Sequence, residues 1–452
     1  MNKTIKTLLA VVLSATTFAG FSQDINFSRP ADQRGVNKFE TGKLDTVPFD
    51  GLKVKIGGAF TQQYQSLNHS NTATPNRDTI GGTAYNLNEL YPLAPGFNLA
   101  TANLIVNVQL EDGIRLTLEN YMSSRHHSEF WVKGGYIQID KLPMFGNPEW
   151  FSKYMSVKVG HFGINYGDQQ FRRSDNGLTL YNPFAGNLIL DAFATEIGAE
   201  VYVYPADGFF LMGGLTSGLL NGDVKEAIGP DGEVIRKNPS ILAKAGFDKQ
   251  LTDDLRFRLT GSLYTNPGTT RNTLYAGDRS GSRYYLVAEP AGAVSGGAYT
   301  ATAAGTNFTS GRLNPNFTRN VTSMMINPFV KFGGLEFFGA VEFASGSESG
   351  TKANPDPETR KFTQLDGELV YRFLPREQVF VGARYNTVKG QLQGFADDIS
   401  IDRTAISLGW FTTKNILMKL EYVNQKYNDF PANDYRNGLK FDGVMIEAAL
   451  AF

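Results

Sequence analysis

From Leu52 to its last residue the sequence repeats one plan. A segment of about 10 to 14 residues alternates apolar and polar side chains, a tight turn follows, then a second such segment, then a longer polar loop. Period two is the mark of a strand with two unlike faces. In the final segment Val444, Ile446, Ala448, Leu450 and Phe452 share one face, and Gly443, Met445, Glu447, Ala449 and Ala451 share the other. Earlier segments do the same. Leu255, Phe257, Leu259 and Leu263 oppose Arg256, Arg258, Thr260 and Ser262, while Leu365, Leu369, Tyr371 and Phe373 oppose Gln364, Asp366, Glu368 and Arg372.

Sixteen such segments begin near positions 52, 98, 114, 130, 154, 193, 209, 241, 255, 323, 335, 363, 378, 402, 416 and 439. Turn-forming residues join them in pairs, as at Glu111-Asp112-Gly113, Asp207-Gly208 and Gly333-Gly334. The remaining connections are mostly long, at 68–96, 165–191, 217–239, 266–320, 346–361, 389–400 and 428–438. Alternating short and long connections around an even number of strands predict an all-β fold: a transmembrane antiparallel β-barrel with short periplasmic turns and long extracellular loops. A soluble sandwich also has many strands, but nothing in it makes turns alternate in length. The apolar face must point at lipid, because a charge at mid-bilayer costs about 2–4 kcal/mol. An open edge cannot be left in lipid either, so the sheet must close. Beyond the first residues no stretch offers 18 unbroken apolar positions, which excludes a helical membrane protein.

The start of the chain reads as an export leader. Lys3 and Lys6 precede an apolar run over 8–21, and Gly20 and Ser22 place small side chains where a signal peptidase cuts. The organisation expected is a leader over 1–22, a polar periplasmic segment over 23–50, and the barrel over 51–452. The chain has no cysteine, so disulfides, thiolate metal sites, cysteine nucleophiles and a lipid-modified cysteine are excluded. With 43 basic against 44 acidic residues it has no concentrated basic face for nucleic acid.

A sixteen-strand ring leaves an interior that is expected to be aqueous. Among the charges predicted to line it are Lys158, Arg256, Arg258, Arg372, Arg384, Arg403 and Lys419, opposed by Glu368, Glu421 and Glu447. The signs are mixed, and a pair such as Glu368 and Arg372 can simply brace the wall. The connection after the fifth strand contains Asp168, Arg172, Arg173 and Asp175, and its half over 178–190 is apolar for a surface loop. It is predicted to fold inward and narrow the pore, with Arg172 and Arg173 facing Asp168 or Asp175; a solvated loop is the competing reading. Tyr64, Tyr121, Tyr204, Tyr264, Phe343, Tyr385, Trp410 and Tyr427 stand near strand ends and are expected to form interfacial girdles. Pro328 interrupts the tenth strand, where a local bulge is expected.

Searches for chemistry return little. The histidines are His69, His126, His127 and His161, and no Gly-x-Ser-x-Gly frames a serine. A rim enzyme built from His126 or His127 and a nearby serine would need a geometry that nothing else supports. No phosphate-cradling or His-Glu-x-x-His motif is present, and residues 223–233 lack the register of a calcium loop. No cofactor, metal or catalytic residue is expected.

The phrase Lys158-Val159-Gly160-His161-Phe162-Gly163-Ile164-Asn165-Tyr166-Gly167 resembles one in the phosphate-selective porin family and related Bacteroidota porins. The run from Phe27 through Asn37 is similar to a segment that precedes barrels in that phylum, and Phe452 matches the terminal signal read by barrel-insertion machinery. The resemblance implies a sixteen-stranded, trimeric porin whose inward loop follows strand five. Phosphate selectivity in that family goes with a path lined by arginine and lysine; the mixed charges here depart from it, so phosphate is not carried over. The function expected is passive diffusion of small polar solutes or ions, with outer-membrane lipid, the insertion machinery and a homotrimer's other copies as partners. The alternative is an accessory barrel in an envelope machine, docking through its long loops and the 23–50 segment.

Overall fold

A computed structural model describes residues 25–452 apart from 44–46, 126–129, 219–223, 225, 229–231, 233, 236, 270, 277–283, 352–353 and 355. The leader expected over 1–22, the His126–His127 pair and part of 223–233 lie outside the described residues.

The main sheet has seventeen strands, one of which, Gly96–Phe97, is only two residues long. The other sixteen are β1 (Lys53–Ser70), β2 (Thr101–Glu111), β3 (Ile114–Ser123), β4 (Phe130–Ile139), β5 (Met155–Gly163), β6 (Thr195–Ala206), β7 (Phe209–Thr216), β8 (Ser240–Gln250), β9 (Leu255–Asn266), β10 (Asn320–Phe332), β11 (Leu335–Ser347), β12 (Arg360–Phe373), β13 (Val379–Gly390), β14 (Ile399–Thr413), β15 (Ile416–Asn428) and β16 (Lys440–Ala451). Each pairs antiparallel with the next, and β16 returns to β1 from Ala59↔Ala451 to Ser70↔Lys440. β1 meets β2 through residues 53–61 but β16 through 59–70. That offset is the stagger a tilted sheet needs to close. Phe452 completes the seam: its N–H and C=O pair with Gly58 at 3.0 and 3.1 Å. A side chain at Gly58 would run into the Phe452 ring, only 3.0 Å away.

Alternation places the faces as the sequence requires. On β16, Val444, Ile446 and Leu450 are exposed to the outside, whereas Met445, Glu447 and Ala449 are buried within. Short turns join strands at one rim; the exception is 140–154, which carries the short helix α1 (Glu149–Tyr154).

Two local expectations are corrected. No bulge forms at Pro328, because the β10–β11 register runs unchanged from Ile326↔Val341 to Phe329↔Phe338. Pro328 has no N–H to give the Gly339 carbonyl, and the Asn327 side chain supplies one instead at 3.0 Å. The girdle also loses Tyr121, Tyr204, Tyr264 and Tyr427, whose strand positions turn them inward; Phe343, Tyr385 and Trp410 do face out.

The interior is not the aqueous lumen expected from strand number. Three further segments fill it: 25–43, the loop 164–194 after β5, and the described parts of the connection 267–319 after β9. Their Ile164, Leu188, Ile189, Leu274, Val287 and Leu313 form the main core with inward Met325, Val388, Ile401 and Met445 of the wall. Inward Glu342, Gln364, Asn386, Gln425 and Glu447 have no accessible surface at all. A ring this wide cannot be packed by its own side chains, so inserted chain fills it.

Candidate functional site: the barrel interior

The loop 164–194 crosses the interior as a chain of anchored points. Its first anchor is Asp168. Arg258 on β9 donates Nε and Nη2 to the two carboxylate oxygens at 2.8 and 2.7 Å. Lys244 on β8 lies 2.8 Å away, and the Thr260 hydroxyl donates at 2.9 Å. Burial alone would raise the Asp168 carboxyl, but Lys244 and Arg258 outweigh it and hold it well below the usual carboxylate range. Arg172 is turned differently from the sequence expectation, and Arg173 meets Asp175 only as its second partner. Arg172 reaches the wall, donating to Glu368 on β12 at 3.0 Å and lying 3.9 Å from Glu336 on β11. Arg173 closes on Asp191 within the same loop, at 3.0 and 2.5 Å, and only its outer nitrogen comes within 3.9 Å of Asp175. For Arg172 the reason is reach, since the wall carboxylates of Glu336 and Glu368 lie beside the inserted loop; for Arg173 it is the fold of the loop, which brings Asp191 back to it.

Asp175 is held from β3 and β4, by the Tyr121 hydroxyl and by Lys133. Lys133 is the extra residue of a bulge, where Glu119 pairs with Gly134 and Asn120 with Val132. The bulge re-aims the lysine from lipid to lumen, where it also meets Glu119 at 2.7 Å. Burial again opposes ionisation of Asp175, and Lys133 with Arg173 overcomes it.

Further along, the wall hydrogen-bonds the loop backbone itself. Lys419 pairs with Glu447 and donates to the carbonyls of Thr179, Asn182 and Phe184. Glu421 accepts the Ala185 N–H at 2.7 Å, Arg384 reaches the Gly186 carbonyl at 2.7 Å, and Asn386 accepts the Ile189 N–H. Arg403 holds the carbonyls of Asn187 and Gly311 and the Gln425 amide oxygen. Arg384 also binds Glu368, and Arg372 binds Glu336. Arg256 is paired with Asp248 and Lys158 with Glu200. All fourteen charged residues singled out from sequence therefore project into the barrel.

The segment 25–43 comes in from the short-turn side and lies against the loop. Glu40 bridges Arg258 (2.6 Å) and Lys244 (2.8 Å). Asn37 contacts Arg172 and donates to Glu336 at 2.5 Å, and Phe39 packs edge-on against Phe171 and Phe329. From the other end, Tyr275 donates to Glu342 (2.6 Å) and Tyr284 to Glu421 (2.8 Å).

Outside, exposed Leu365, Leu369, Val381, Ile406, Leu408, Leu420 and Ile446 form a continuous apolar belt. A closed barrel that shows such a belt outward and ionised side chains inward is built to stand in lipid. The chain is an outer-membrane β-barrel. No protein-family model and no curated protein matches its sequence. Among solved structures, an anion-selective porin from Comamonas acidovorans aligns at a TM-score of 0.51 and 10% identity, over 89% of this chain and 100% of that one. The outer membrane channel DcaP of Acinetobacter baumannii aligns at 0.49 and 10%, over 89% and 98%. OmpT, an outer membrane protein of Vibrio cholerae, aligns at 0.46 and 10%, over 90% and 99%. The barrel is thus porin-like in fold.

Several residues of the interior were not singled out from sequence. Lys133 had one signal, the Gly134-Gly135 pair that often accompanies a bulge. Asn37, Glu40 and Asp191 had none, since their partners are set by how the inserted segments thread the barrel.

Proposed function

We propose that this barrel is an outer-membrane porin for passive diffusion of small polar or charged solutes, and that its own inserted segments gate it. The observation that carries the reading is the inner wall. Ionised and amide side chains from β1 to β16 face the lumen and hold the inserted segments by hydrogen bonds that water or solute can replace. A barrel that needs only to be filled has no use for so many buried charges, each costly unless paired. Asp168, Arg172, Arg173 and Asp175 form the constriction in this reading. Two cavities, of about 770 and 320 Å3, remain on the short-turn side of it.

The leader over 1–22, Phe452 as insertion signal and a homotrimeric assembly belong to the same proposal. The phrase over 158–167 supports a place near the phosphate-selective porins, without their ligand. A second reading, an accessory barrel that never conducts, is favoured by the packed mid-section. Purified full-length protein in planar bilayers separates the two. Stepwise openings support the porin; persistent silence, also after the loop anchors are removed, supports the accessory barrel.

A further inference from the structure

Beside the constriction loop lies the cavity of about 320 Å3, bounded by β1–β6 on one side and by 25–43 with the loop on the other. Its charges do not balance. Six basic side chains reach it: Arg29, Lys55, Arg115, Lys133, Lys158 and Arg173. Three acidic ones do, and all are engaged: Glu40 by Lys244 and Arg258, Glu119 and Asp175 by Lys133.

Three of the cations meet no carboxylate among the described residues. Arg29 donates to the carbonyls of Gly35 and Phe171 while lying over the Tyr181 ring. Arg115 donates to the carbonyls of Asn26 and Phe27 and to Gln138, and its Nε has no partner. Lys55 stands opposite Asn107 on the wall, and among the described residues its ammonium has neither hydrogen bond nor ion pair. The cavity rim also holds Phe452. Around these cations the rings of Tyr136, Phe171, Tyr202 and Tyr204 supply flat apolar faces.

We infer that this cavity binds a small organic anion that carries a ring, its charged group at Lys55 and Arg115 and its ring among the aromatic side chains. An anion there gives Lys55 the partner it lacks, beside an Arg115 guanidinium that no carboxylate among the described residues neutralises, and charge-assisted bonds to an ammonium are the strong kind. A flat body gains from the aromatic faces, where a bare inorganic ion gains nothing. As a solute site it rests on the porin reading; as a binding site it does not.

Titration calorimetry on the purified full chain in detergent tests this with benzoate, acetate, benzamide and inorganic phosphate. The expected result is one benzoate per chain, with acetate and benzamide each at least about tenfold weaker, because each lacks one of the two features. Lys55→Gln should weaken benzoate about tenfold, and Lys55→Arg should keep it. Heat-modifiable gel mobility reports that each variant is a folded barrel; should Lys55→Gln fail to fold, Arg115→Gln takes its place. Absence of saturable benzoate binding overturns the inference, as does phosphate binding more tightly than benzoate, or Lys55→Gln binding as well as the parent. Calorimetry does not need an open pore, so the two readings fail separately. Binding with bilayer silence removes the porin, and conduction without binding removes this site.

Discussion

Asn327 accepts the backbone N–H of Asp168 at 2.8 Å with its Oδ1, while its Nδ2 serves the carbonyl that Pro328 leaves without a donor. One amide thus repairs the wall ladder and seats the first anchor of the inserted loop. Asn327→Ala strands both groups, and a buried unpaired polar group costs about 1–3 kcal/mol. Urea unfolding should show the loss, and the Asp168 amide should exchange faster. Adding Pro328→Ala returns an N–H to the ladder, so it should recover the Gly339 share of stability but not the Asp168 protection. Full recovery of both would show that the loop does not depend on Asn327.

The Asp168–Arg258 fork ties the loop to the wall through two charge-assisted bonds. Removing one partner of a buried pair costs about 3–5 kcal/mol, because the other charge is left buried alone. Asp168→Asn should loosen the loop while the wall ladder persists. Planar bilayers should then record more frequent or larger openings than in the parent chain. Unchanged conductance, with the loop shown mobile by hydrogen exchange, would place the barrier elsewhere.

The inner and outer parts of the plug should answer acid in opposite ways. Asp168 and Asp175 have carboxyls held below their ordinary values. Their contribution is full above the unfolded pKa of about 4 and is lost only as pH falls below it. Hydrogen exchange over 168–175, corrected for intrinsic rate, should therefore match at pH 7.5 and pH 5. Burial raises Glu289, whose carboxylate meets the Ser310 hydroxyl at 2.8 Å. A raised carboxyl favours the folded state at low pH and loses that contribution as pH rises through its folded value. The 286–291 stretch should be better protected at pH 5 than at pH 7.5, and Glu289→Gln should remove the difference.

The barrel was legible because lipid on one face and a closing sheet on the other impose period two on every strand; observed strand starts fall within three residues of those read from sequence. The inward orientation of the charged residues followed from the same parity. Tyr121 could also have been read this way, since it shares a face with Arg115 and Glu119. Ion-pair partners were not legible. Arg172 finds Glu368, nearly two hundred residues away, because a loop inserted in a ring is close to every strand at once. The filled lumen was hidden too. Polarity in 25–43 fits a solvated segment as well as one that enters the lumen, and only the opposing charges on the wall decide between them.

The bulge at Lys133 makes a sharper claim. Lys133→Ala leaves Asp175 and Glu119 without their shared cation, so it should destabilise more than a surface lysine substitution. In a double-mutant cycle with Asp175→Asn, the two changes should couple by about 0.5–3 kcal/mol, the range for residues in one charge network. Strictly additive losses in urea unfolding would mean that the bulge has no part in holding the loop.

The absence of cysteine permits a direct test of whether 25–43 must move. Asn37 donates to Glu336 at 2.5 Å, which joins the segment to β11 just below Arg172. Asn37→Cys with Glu336→Cys can be bridged by a short bifunctional thiol reagent that carries a cleavable disulfide. With the bridge in place the segment cannot leave, and it keeps Phe39 against Phe171 beneath the loop. Bilayer openings should be rarer in the bridged protein and should return when reductant cleaves the bridge. The unbridged double variant serves as the control, because losing Glu336 also removes a partner of Arg372. If bridged and cleaved proteins open alike, the segment is a fixed part of the wall, and the movable barrier is the 164–194 loop alone.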